Sequence, residues 1–144
     1  MTYDSDIAAW AAQQAALLRR QTGNELDWQN LAEEIEAVGK SQENAVFSRL
    51  KLLCQHLLKW QYQHILRSPS WRSTIRVQRR DLARLFRKNP SLRQPFAPAE
   101  LPEAYAAGRE DAIAETGIEN LPDACPWTLE DILDPDYWPG GSEL

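Results

Sequence analysis

Apolar residues return at helical spacing along most of this chain, and the longest such run occupies its centre. At 100° per residue, Trp28, Leu31, Ile35, Val38, Val46, Leu50, Leu53, Leu57 and Trp60 fall within an arc of about 120°. A continuous helix from 28 to 66 would be about 58 Å long, against roughly 38 Å for the diameter of a compact globule of this length. Gly39 sits in the middle of the apolar face, followed by Lys40 and Ser41, and glycine costs about 1 kcal/mol relative to alanine inside a helix. The pattern therefore predicts a bend or short break near Gly39 to Ser41, leaving two helices. A straight rod whose overhang is buried by a second copy is the alternative.

The flanking segments are punctuated by Pro and Gly. A first helix is expected from Asp4 or Ser5, either of which can cap it, to about Gln21, with Ile7, Trp10, Gln14, Leu17 and Leu18 inward and Thr22, Gly23 and Asn24 ending it. Asp27 can cap the second. The third starts at Ser68 and Pro69, a cap followed by the residue that needs no N–H at the first helical position. Its stripe is Trp71, Ile75, Leu82, Leu85 and Phe86, and it ends at Asn89 and Pro90. Four prolines between 90 and 102 predict a stiff irregular connector. A fourth helix follows from about Glu103 to Thr116, closed by Gly117, with Ala104, Ala107, Gly108 and Ala112 small enough for close backbone approach. Thr128 and Asp131 predict a capped short helix before Ile132 and Leu133. Nothing alternates with period two for long enough to make a strand. The fold class is all-α: a small bundle of four to five main helices with a long central helical hairpin. The chain 1–144 reads as one helical domain whose residues 118–144 form an acidic, aromatic, irregular C-terminal strap.

Composition changes this picture little. Hydrophobic residues at 43% and charged residues at 26% are an ordinary globular mix. The opening residues are acidic where a secretory signal would be basic, and no apolar run reaches the roughly 18 residues of a membrane span. A cytoplasmic protein without membrane contact is expected, its two cysteines, Cys54 and Cys125, reduced and unpaired. Charge is more informative, because the net −5 conceals an asymmetry. Residues 67–93 hold nine Lys and Arg against Asp81 alone, a net of +8, and residues 100–144 hold twelve acids against Arg109, a net of −11.

The segments "YDSDIAAWAAQQAALLR", "ELDWQNLAEEIEAVGKSQ", "RLKLLCQHLLKWQYQ", "SPSWRSTIRVQRR", "AYAAGREDAIAETG" and "LPDACPWTLEDILDPDYWP" resemble, in order and over nearly the whole chain, the bacterial "domain of unknown function 29" family. The resemblance implies a small all-helical protein and carries no activity, cofactor or catalytic residue with it.

Three constellations carry chemistry. Glu33, Glu34, Glu36, His56 and His64 suggest a metal-dependent helical-bundle enzyme, but the glutamates point away from the apolar arc. No Glu-x-x-His pair is present, and Glu36 pairs more simply with Lys40 at i,i+4. His56 and His64 read as structural. Neither a catalytic residue nor a cofactor or metal site is therefore assigned; Cys54 and His56 diverge on their helix by about 160°.

The second constellation is the row Arg72, Arg76, Arg79, Arg80, Arg84, Arg87 and Lys88, a possible surface for a polyanion or an acidic partner. The expectation is that carboxylates from the chain's own final third neutralise it. The third is the tail "CPWTLEDILDPDYWPGG", read as a strap whose tryptophans fold back on the domain. The function that follows is non-catalytic, a protein–protein interaction or structural role with another protein or a second copy. A nucleic-acid-binding module using the arginine-rich third helix is the alternative, and a metal-dependent enzyme is third.

Overall fold

The computed structural model describes residues 4–20 and 28–140. It is all-α, with five helices and no strand among the described residues: α1 (Ile7–Arg19), α2 (Trp28–Tyr62), α3 (Pro69–Lys88), α4 (Ala97–Thr116) and the short α5 (Leu129–Leu133). The expected Asp27 cap and the break at Thr22 to Asn24 lie outside the described residues.

α2 runs unbroken for 35 residues, about 52 Å. The expected interruption at Gly39 is absent because the overhang is covered by α1 of the same chain. α1 packs most closely through Ala8, Ala11 and Ala15, all buried; of the larger residues expected to face inward, Ile7, Trp10, Gln14 and Leu18 are half-buried and Leu17 is exposed. A Cβ built at Gly39 would lie 3.3 Å from the Ala8 carbonyl oxygen and 3.6 Å from the Ala11 Cβ. The glycine is thus where two backbones come close, with buried Ala32 on the same side. The large apolar residues of this half, Leu31 and Val38, remain exposed, so the arc seen in the sequence becomes a core seam only from Val46 onward.

The entry to α1 is fixed by a buried polar junction. Asp6, rather than Asp4 or Ser5, is the N-cap, and its Oδ1 accepts from the Ala9 N–H at 2.9 Å. Asn89, 1% exposed, offers its Oδ1 to the N–H groups of Ile7 (3.1 Å) and Ala8 (3.2 Å) while its Nδ2 donates to the Leu85 carbonyl. Asp6 Oδ2 accepts from the Ser91 N–H at 2.6 Å. Of the first-turn N–H groups of α1, which have no partner within the helix, those of Ile7 and Ala8 are satisfied from the far end of α3 and that of Ala9 by the cap itself. Burial raises the Asp6 carboxyl pKa, but the N–H groups of Ala9 and Ser91 outweigh it, and the net value lies below the ordinary 3.8.

At the other end of α2 the chain reverses through a single tight turn, His64–Leu66. Ser68 caps α3 by accepting from the Trp71 N–H at 3.2 Å, with Pro69 at the first helical position, as the sequence indicates. Ile75, Leu82 and Phe86 of α3 are buried.

The proline-rich connector is largely helical: a wide turn covers Leu92–Phe96, broken at Gln94 (φ −153°, ψ 118°). α4 then starts six residues earlier than expected. Pro98 falls in its first turn, where an N–H has no partner in any case, and Pro102 forgoes one bond in the second.

α4 and α2 touch backbone to backbone. A Cβ at Gly108 would lie 2.6 Å from the Lys51 carbonyl oxygen and 3.1 Å from the Gln55 nitrogen, with Ala104 and Ala112 buried on either side. α4 ends at Gly117 with φ 76°, a left-handed value suited to glycine. Beyond it, residues 118–140 return across the bundle. The Trp138 ring meets Trp60 at 4.8 Å, and Trp127 meets Tyr105 edge-on at 6.1 Å. Thr128 and Asp131 form the reciprocal cap that starts α5.

Candidate functional site

The arginines of α3 divide into two sets once the helix is packed. Arg79 shares the helical spacing of Ile75, Leu82 and Phe86, so it enters the core seam and is only 4% exposed. The expectation that it belongs to a partner-facing surface is corrected. Its Nε donates to the Ile132 carbonyl at 2.7 Å, and its Nη2 donates to the Tyr137 carbonyl at 2.8 Å and the Asp131 carbonyl at 3.4 Å. Its guanidinium also lies 5.4 Å from the Trp138 ring centre. Burial pushes this guanidinium down to about 10, with Asp134 and Tyr137 favouring its charge, so it stays cationic at neutral pH. Arg72 is half-buried.

Arg76, Arg80, Arg84, Arg87 and Lys88 are exposed. Arg80 meets the adjacent Asp81 at 3.3 Å, while Arg84, Arg87 and Lys88 form no ion pair among the described residues. Among the described residues, no carboxylate of the final third pairs with Arg84, Arg87 or Lys88, so the expected neutralisation is not seen at those three. Those acids go elsewhere: Asp111 to Lys51 (3.6 Å), Glu115 to the buried Lys59 (2.8 Å) and Asp123 to Arg109 (3.1 Å). The C-terminal segment does reach α3, where it brings backbone carbonyls onto Arg79 and the Asp134 carboxylate near it. Glu130 is spent on Arg93 of the kinked turn, at 3.1 Å.

Two shallow depressions adjoin along this side. One, of about 410 Å³, is lined by Arg76, Arg79, Arg80, Ala83, Leu133 and Pro135 among others. The other, of about 300 Å³, includes Phe86, Arg87 and Arg93, and shares Arg79, Ala83 and Leu133 with the first. Together they make a groove with an apolar floor and guanidinium groups along its rim. On the opposite side of α3, Arg84 and Lys88 line a depression of about 330 Å³ shared with α2, where Arg49 meets Asp81 at 3.0 Å.

The other candidates are dispersed. Glu36 pairs with Arg19 of α1 and not with Lys40, and Glu33 accepts from Gln29. His56 Nδ1 lies 2.9 Å from the Leu52 carbonyl oxygen, and burial lowers its pKa. His64 is exposed in the turn after α2. Among the described residues no three His, Cys, Asp or Glu side chains converge as a metal site, and no helix is long and apolar enough to cross a membrane. Lys59 was not visible as a special residue in the sequence. It is buried, with its ammonium 4.5 Å from the Trp71 ring centre and its charge met by Glu115.

With this geometry in hand, residues 2–138 match the family described as "Domain of unknown function DUF29". The chain belongs to that family. Its fold recurs in the crystal structure of an α-helical protein of unknown function from Rhodospirillum rubrum, with a TM-score of 0.70 at 23% identity over 95% of this chain and 92% of that one. That likeness confirms the DUF29 chain's all-helical architecture. No match is found among curated proteins.

Proposed function

We propose that this DUF29 chain is a non-catalytic binding protein whose α3 groove docks an acidic, partly apolar segment of another protein. One observation carries the reading: Arg87 on the groove's rim is exposed without an ion-pair partner among the described residues, and Arg76 and Arg80 are exposed along the same groove, although the chain as a whole has acids in excess. Arg76, Arg80 and Arg87 along the groove raise the local potential and favour encounter with an anionic surface. The apolar floor at Ala83, Leu133 and Pro135 favours a peptide over a phosphate backbone, because a duplex presents charge and little apolar surface there. Asp136, which also lines the groove, repels a continuous polyanion more than a peptide that can place its acids selectively.

The test is fluorescence anisotropy with two probes at low and high salt, a labelled peptide alternating Glu and Leu and a labelled DNA duplex. Binding of the peptide, weakened at least tenfold by Arg80→Glu with Arg87→Glu and by raised salt, supports the reading. Binding of the duplex alone replaces it with nucleic-acid recognition, and binding of neither refutes both.

A further inference from the structure

One stripe of α2 is only half covered. Leu31, Ile35, Val38, Gln42, Ala45 and Arg49 recur at alternating spacings of four and three, the spacing at which a helix presents a single seam to a helical neighbour. At one end α3 is that neighbour. Arg49 donates to Gln78 and to Asp81, both at 3.0 Å, and Arg84, Leu85 and Lys88 border Ser41, Gln42 and Ala45. α3 stops at Lys88, and Asn89 is engaged by the start of α1. α1 meets α2 at Gly39, about 100° around the helix from Val38, so it does not cover the stripe. Past the end of α3 the seam is therefore bare: Leu31 is 42% and Val38 40% exposed, with Ile35 half-buried between them.

Charge follows the stripe. Glu33 and Glu34 are exposed at its bare end, and Arg84 and Lys88 are exposed beside its other end, with no ion-pair partner among the described residues. A seam that is apolar in the middle and oppositely charged at its two ends matches its own image under a two-fold rotation. We propose that two copies of this chain pair antiparallel through this stripe, each laying Leu31, Ile35 and Val38 on the other. The seam register of an antiparallel pair sets Ile35 of each copy against Val38 of the other. Leu31 then falls opposite Gln42 and Ala45 of the second copy, in the depression of about 330 Å³ that Arg84 and Lys88 border. Glu34 comes beside the same two cations, so opposite charges meet at both ends. A parallel pair would set Glu34 against Glu34 and leave the cations unmet. The charges thus choose the occupant, because the surface carries both halves of its own complement. The contact is isologous and closes at two copies. It lies across α3 from the peptide groove, so self-pairing leaves that groove open. About three helical turns a side make a contact small beside the roughly 1,600 Å² of a standard interface, and the dimer is weak.

The experiment is sedimentation equilibrium of the full chain from about 5 μM to about 500 μM, the range in which a contact of this size assembles. The expected result is a mass that rises from one chain toward two and no further, with weaker association at high salt. Val38→Glu sets like charges close to the axis from an exposed position; it should stay monomeric throughout with an unchanged melting curve. Glu34→Lys, and separately Arg84→Glu with Lys88→Glu, should each weaken the dimer about tenfold. An equimolar mixture of those two variants should restore it, because each chain supplies the charge that the other has lost, a rescue that a misfolded chain cannot give. Arg80→Glu with Arg87→Glu, on the groove side of α3, should dimerise like the native chain. A monomer at every concentration overturns the proposal. So does a dimer that survives Val38→Glu, a mixture that associates no better than its components, or a dimer lost in the groove variant.

Discussion

Replacing Arg79 by Met removes the buried cation around which α5 and the residues after it fold, while keeping an unbranched apolar stem in the seam. Two of its hydrogen bonds, to the Ile132 and Tyr137 carbonyls, are short. A hydrogen bond from a charged donor contributes about 1.5–3 kcal/mol, and a buried carbonyl left without a partner costs about 1–3 kcal/mol. The longer contact with the Asp131 carbonyl and the approach to Trp138 add less. Against this, methionine is easier to bury than a guanidinium. The net loss is about 4 kcal/mol, which at about 2.1 cal/mol/K per residue lowers the melting temperature by roughly 13 °C for a chain of this length. The assay is thermal and urea unfolding followed by tryptophan fluorescence, which reports on the Trp60–Trp138 pair, together with hydrogen exchange over residues 118–140. Arg80→Met is the control: that side chain is exposed beside Asp81, and its removal should change stability by no more than about 0.5 kcal/mol. If Arg79→Met melts within about 3 °C of the native chain and residues 129–138 keep their protection, the carbonyl cradle does not hold the segment.

Other expectations follow from single contacts. Gly108→Ala places a methyl 2.6 Å from the Lys51 carbonyl oxygen, so α4 must move off α2; a loss of about 3 kcal/mol in urea unfolding is expected, at the upper end for overpacking, and an unchanged midpoint would refute the close approach. The Asp6 pKa lies below its ordinary value, so the stability it contributes is present above the unfolded pKa and is lost as pH falls through the folded one. Asp6→Asn should therefore show a shallower acid limb below about pH 4, and superimposable limbs would count against the junction. Glu115 is likewise held below its ordinary value, chiefly by the Lys59 ammonium. Lys59→Met should weaken that part of the acid response, as read by the titration of Glu115 in NMR.

The sequence disclosed the elements better than their packing. Ser68 with Pro69, Gly117, and Thr128 with Asp131 are local signals whose chemistry is complete within a few residues, and the structure places each where it was expected. Gly39 shows the limit. Its low helix propensity argued for a break, but the deciding fact is the small-residue stripe of α1, a tertiary partner that no local pattern announces. The four prolines at 90–102 failed for a related reason, because their positions relative to the helix start matter more than their number. Arg79 was counted with the surface arginines on residue type, although its spacing from Ile75 and Leu82 is that of the seam.

The alanine stripe of α1 has a mechanical consequence. The first four turns of α2 bury Ala32 and Gly39 against α1, while Leu31 and Val38 face solvent, so this part of the long helix leans on one neighbour. Detaching α1 would strip that cover, and an uncovered helical extension of about a dozen residues is marginal in water. α1 and the beginning of α2 should therefore melt as one cooperative unit, opening well before the portion of the bundle from Val46 onward, with the Asp6–Asn89 junction as its latch.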